Sequence, residues 1–104
     1  MTNFNMKFKA TKYIEQKLDC LDKFCFELES IKVGEQILGA NCYQSLVDDA
    51  YNRIIGALDI SYTLEIISLY DYNKYVKVAV QKHKKAIKCI EKCIEQNQYK
   101  LLSL

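Results

Sequence analysis

Proline is absent from this chain, and glycine occurs only three times in 104 residues. An all-β chain needs a turn roughly every 8–12 residues. So few breakers exclude most sheet architectures and favour long helices joined by short loops. Arginine is nearly missing as well: Arg53 is the lone guanidinium beside fourteen lysines. That removes the commonest bidentate reader of base edges, so any nucleic-acid binding is expected to be weak in sequence preference. The lysine bias, with many Ile, Asn and Tyr residues, points to an A+T-rich coding source, which concerns origin and not function.

Long apolar runs are also lacking. The longest, around Ile66 and Ile67, is interrupted by Glu65, Ser68 and Asp71. A spanning helix needs about 20 predominantly apolar residues, so no membrane crossing is expected. Met1 to Ala10 lacks the continuous apolar stretch of a signal peptide. The five cysteines are odd in number, which without such a leader reads as free thiols in a reducing compartment; a cytoplasmic location is expected.

What is present is ordinary for a globular protein. Half of the residues are hydrophobic and 27% are charged, which argues against disorder. The length suits one domain, residues 1–104, with a single core.

Three periodic segments organise the chain. Ile14, Leu18, Leu21, Cys25 and Leu28 recur at steps of four and three. That spacing lays them along one helical stripe and predicts a helix over 11–33, stopped by Gly34. Upstream, Phe4, Met6, Phe8 and Ala10 alternate with polar residues, which fits a helix extension, an ordered arm or a short strand. The second segment starts after Gly39, where Asn41 and Gln44 resemble a capping box. Its apolar face comprises Tyr43, Leu46, Val47, Ala50, Tyr51, Ile54, Ala57 and Leu58. The phase drifts after Gly56 and Asp59, leaving Glu65 on an apolar stripe and apolar residues on all sides from Ile60 to Tyr70. A kinked helix through this region is expected, since no turn signal divides it. The third segment follows a cap at Asp71 or Asn73 and carries Val76, Val80, His83, Ile87, Ile90, Ile94 and Asn97 at helical spacing. Leu101, Leu102 and Leu104 leave an apolar tail. The expected fold is all-α: an antiparallel bundle of three long helices, or four if the second splits near Gly56–Asp59.

Charge sorts by segment. Residues 1–41 are neutral, residues 42–72 carry −4, and residues 73–104 carry +6. Within the third helix, Lys77, Lys84, Lys85, Lys88 and Lys92 lie opposite Val76 and Ile87. Such a stripe is the footprint of a phosphate backbone or an acidic partner, and equally of a solvated face. Near-neutral overall charge favours the solvated face.

Catalytic constellations are missing. There is no Gly-rich phosphate loop, no Ser-centred elbow and no metal-binding His pair. His83, the one histidine, has no adjacent nucleophile or carboxylate and reads as a core or interface imidazole. The arginine–histidine spacing of helical HEPN ribonucleases fails too, because Asp59 stands where the histidine after Arg53 would lie. Cys89 and Cys93 share a helix side, but only one of Cys20 and Cys25 can face them, short of a zinc set. No metal, cofactor or small-molecule substrate is expected, and an enzyme is not.

The remaining expectation is a non-enzymatic protein-interaction module that self-associates as a homo-oligomer. Phe26, exposed in phase among charges, and the cluster Tyr70, Tyr72 and Tyr75 are its candidate anchors, because aromatics are enriched at contact cores. A small bundle of this composition suits a viral or mobile-element inhibitor that blocks a host nuclease complex. The alternative is a nucleic-acid-binding protein that uses the basic face of the C-terminal helix, with Tyr72 and Tyr75 as stacking groups.

Overall fold

The described residues form three helices: α1 (Thr2–Glu29), α2 (Ile37–Thr63) and α3 (Leu69–Leu102). The computed structural model describes the backbone of residues 2–29 and 37–102, with the side chains of 5–29 and 42–95. No strand occurs among the described residues.

The stripe on α1 forms as its spacing requires. Ile14, Leu18, Leu21, Cys25 and Leu28 are all buried. The helix extends back through the alternating N-terminal residues, so these are a helix extension and not a strand. Met6 and Phe8 stay exposed there, because at about 100° per residue they fall about 80° and about 120° to either side of the Ile14 stripe. The expected stop at Gly34 lies outside the described residues.

Helix α2 contributes Val47, Ala50, Ile54 and Leu58 to the core. It begins at Ile37, so Asn41 lies inside the helix and does not cap it. Gln44 instead donates to Asp48 at 3.1 Å, one turn on. The helix also runs unbroken through Gly56 and Asp59 and ends at Thr63, so the division comes later than the phase drift suggests.

That division is a Schellman-type stop. The Ile66 amide donates to the Ser61 carbonyl at 2.8 Å, and the Glu65 amide to Tyr62 at 3.0 Å. Glu65 takes the left-handed backbone conformation, φ 58°, that glycine usually supplies. The sequence therefore carried no breaker to read. Glu65 points to solvent from the turn, and the expected change of helix phase is not what exposes it. Ser68 then caps α3, its Oγ accepting the Asp71 amide at 3.1 Å; Asp71 sits in the first turn and is not itself the cap.

The innermost line of α3 is Ala79, Ala86, Ile90 and Cys93. Val76, Val80 and Ile87, the expected centre of the seam, are half-buried flanks. Alanine at the innermost positions lets α3 lie close to the other helices, and the larger residues close the sides. Each fully buried large side chain, Ile14, Leu21, Val47, Ile54, Leu58 and Ile90, is worth about 1.5–3 kcal/mol of apolar burial.

Named contacts give the order of the helices. Between α1 and α2, Glu27 meets Tyr43 while Tyr13 meets Arg53. Between α2 and α3, Asp48 meets His83 while Asp59 meets Tyr72. Numbers rise on one helix as they fall on the other in both cases. Between α1 and α3 they rise together: Lys7 meets Asp71, Glu15 meets Tyr75 and Asp22 meets Lys82. The result is a rod of 63 × 18 × 16 Å.

Candidate functional site

Among the described residues, large exposed apolar side chains gather at the end of the rod that carries the α2–α3 turn. Ile60 is 62% exposed, Leu64 61%, Leu69 54% and Tyr70 76%. A shallow groove of about 620 Å³, of mixed polar and apolar lining, runs between Tyr62, Thr63, Glu65, Ile66, Ile67, Ser68 and Leu69. A second, smaller depression lies against Asp59, Ile60, Thr63 and Leu64, so the two meet at Thr63. The Lys7–Asp71 ion pair, 3.4 Å, brings the start of α1 to the same end, with Met6 and Phe8 exposed on it. Ile67 is buried beneath and anchors the turn to the core.

The three tyrosines named from the sequence separate here. Tyr70 projects into solvent at this end. Tyr72 stacks at a tilt on Tyr62, ring centroids 5.2 Å apart, and donates its hydroxyl to Asp59 at 2.7 Å. Tyr75 is half-buried and donates to Glu15 at 3.0 Å. Both therefore hold helices together. The Asp59 bond raises the Tyr72 phenol above its ordinary range, and burial followed by the Glu15 bond does so for Tyr75. Phe26 is 71% exposed and sits toward the other end of α1. Sequence reading missed Ile60, Leu64 and Leu69, because an apolar run without period reads as core until the turn within it is known.

Lys77, Lys84, Lys85, Lys88 and Lys92 are all exposed along α3, as the stripe predicts. Lys82 stands apart from them, half-buried and paired with Asp22 across to α1. His83 has the carboxylate that no local motif showed: its Nε2 lies 3.2 Å from Asp48, and its ring stacks on Tyr51 at 4.2 Å. Hydrogen bonds from Gln44 and then His83 hold the Asp48 carboxyl below the ordinary range. The pair ties α2 to α3 at mid-height.

The cysteines depart from expectation. Cys25 of α1 and Cys89 of α3 are joined as a disulfide, with Cα atoms 5.9 Å apart, so these two are not free thiols. They lie 64 residues apart in sequence, and only the side-by-side packing of α1 and α3 brings them together. Glu29 Oε1 is 3.8 Å from each sulfur. Cys93, one turn after Cys89 on the same side of α3, is buried in the core and lies outside the disulfide. Cys20 is half-buried and Cys42 exposed, outside this pair.

No helix among the described residues is long and apolar enough to cross a membrane. Comparison with protein-family models, curated proteins and solved structures found no match.

Proposed function

We propose that this chain is a non-enzymatic protein-interaction module that self-associates through the apolar end of its bundle. The exposure of Ile60, Leu64, Leu69 and Tyr70, on and beside the turn that joins α2 to α3, carries this reading. Single exposed apolar residues are normal, whereas large ones gathered at one place mark contact sites. Tyr70 is the natural anchor, a rigid amphipathic ring of the kind that dominates contact energetics. A second copy is the proposed partner, because a two-fold axis sets the apolar end of one copy against the same end of the other. The same end would serve an inhibitor that acts by covering a partner's surface, the mode expected of a small viral or mobile-element bundle.

Light scattering on the chain across the micromolar range tests this. A dimer is expected, with Leu64→Glu and Tyr70→Glu each shifting it to monomer while helicity is retained. A wild-type monomer at every concentration would sink the self-association.

The five exposed lysines on α3 support a second reading, contact with a nucleic-acid backbone. Its sign is single-stranded DNA binding that collapses as salt rises and is lost on replacing Lys84, Lys85 and Lys88 with glutamate. Flat curves at low salt would eliminate it.

A further inference from the structure

Near the end of α1 three ligand atoms converge: the sulfurs of Cys25 and Cys89 and a carboxylate oxygen of Glu29, all within 4.8 Å of one another. Cys25 and Glu29 stand one turn apart on α1, so their side chains lie on the same side of the helix. Cys89 completes the set from α3. The burial is graded, with Cys25 buried, Cys89 half-buried and Glu29 exposed. The cluster therefore has a wall in the core and an open side toward water, which gives an ion a path in. It lies about 28 Å along α3 from Tyr70, remote from the apolar end.

The donor set selects its ligand. Two thiolates are soft donors that favour zinc and related thiophilic ions over calcium or magnesium, and a carboxylate at the third corner favours a divalent ion. Three protein ligands leave one position of a tetrahedron for water. Lys85 and Lys92, the i−4 and i+3 neighbours of Cys89, are exposed on α3 and offset the excess negative charge of such a set.

We propose that Cys25, Cys89 and Glu29 form a redox-gated zinc site that links α1 to α3 when the disulfide is open. Two equivalents of a small thiol reduce the cystine: the sulfur–sulfur bond breaks, Cys25 and Cys89 become thiols, and the two reductant sulfurs leave as their own disulfide. Zinc then displaces one proton from each thiol to solvent and takes the Glu29 carboxylate as its third ligand. Oxidation by a small-molecule disulfide reverses the sequence and expels the ion. The two helices are thus fastened covalently in one state and by a metal in the other.

The test uses the full chain reduced with a phosphine and titrated with Zn²⁺ against a chromophoric chelator, with Co²⁺ as spectroscopic reporter. One equivalent is expected, with thiolate-to-cobalt charge-transfer absorption. Cys89→Ser should weaken binding by at least the roughly 10–100-fold that loss of an outer-shell partner already costs. Glu29→Gln, a change on an exposed side chain, should weaken it while leaving the charge-transfer band; Cys42→Ser should change neither. Circular dichroism establishes that each variant is folded. Unaltered affinity in folded Cys89→Ser would overturn the site, and equal zinc binding by the oxidised chain would overturn the gating.

Discussion

Glu65 carries a backbone conformation that costs an L-residue roughly 1–2 kcal/mol relative to glycine. It is held there by the two backbone hydrogen bonds that close α2, in which the Glu65 amide donates to the Tyr62 carbonyl and the Ile66 amide to the Ser61 carbonyl. Its side chain is exposed, so replacement removes no buried contact. Glu65→Gly should therefore stabilise the chain, after the greater unfolded-state freedom of glycine is deducted, by up to about 1 kcal/mol. Thermal unfolding should show a Tm several degrees higher. A lower Tm would mean that the glutamate contributes something beyond occupying the turn. The same residue explains why the sequence reading placed the α2–α3 boundary late, at Asp71 or Asn73. Turn residues announce themselves when their chemistry suits the turn, and glutamate does not.

At the scale of helices, polar ties between neighbours recur in one form. A tyrosine hydroxyl donates to a carboxylate on another helix at Tyr43–Glu27, Tyr72–Asp59 and Tyr75–Glu15. Each helix pair has one. All three phenols are raised above their ordinary value of 10.0: Tyr43 and Tyr72 chiefly by the carboxylate they bond, Tyr75 chiefly by burial. A raised folded value means that the stabilisation is whole below pH 10 and is lost as pH climbs through the raised values. Asp48 behaves oppositely. Its carboxyl is lowered from 3.8 by Gln44 and His83, so its contribution is present above that value and lost as pH falls through the lowered one. Stability measured against pH should form a plateau with an alkaline limb. Replacing Tyr43, Tyr72 and Tyr75 together with phenylalanine should flatten that limb relative to wild type. An unchanged limb would show that these bonds do not couple to folding.

Across the whole molecule the decisive feature is slenderness. The radius of gyration is 16.9 Å, against about 13 Å for a compact domain of this length. A cross-section of 18 × 16 Å has room for one layer of core side chains between three helices. Large truncations have little surrounding structure to collapse into the gap. Ile54→Ala, at a fully buried position of α2, should cost about 2–5 kcal/mol, a large share of a total that is commonly 5–15. Urea unfolding would measure it, and a loss under 1 kcal/mol would refute the single-layer core. Slenderness also puts a large fraction of the chain at faces and ends, which is where the proposed contacts and the cysteine cluster lie.

Helical content, the buried stripe of α1, most of the α2 face and the exposed lysines of α3 were set by local periodicity, because a helix shows its own spacing whatever it packs against. The line of α3 that lies deepest was not, since Ala79 and Ala86 take the centre only once close approach to the other helices is counted. Nor was the meeting of Cys25, Glu29 and Cys89, or of His83 and Asp48. Those depend on how far one helix slides along another, and that register is decided by interlocking side chains distant in sequence, which no window of neighbouring residues contains.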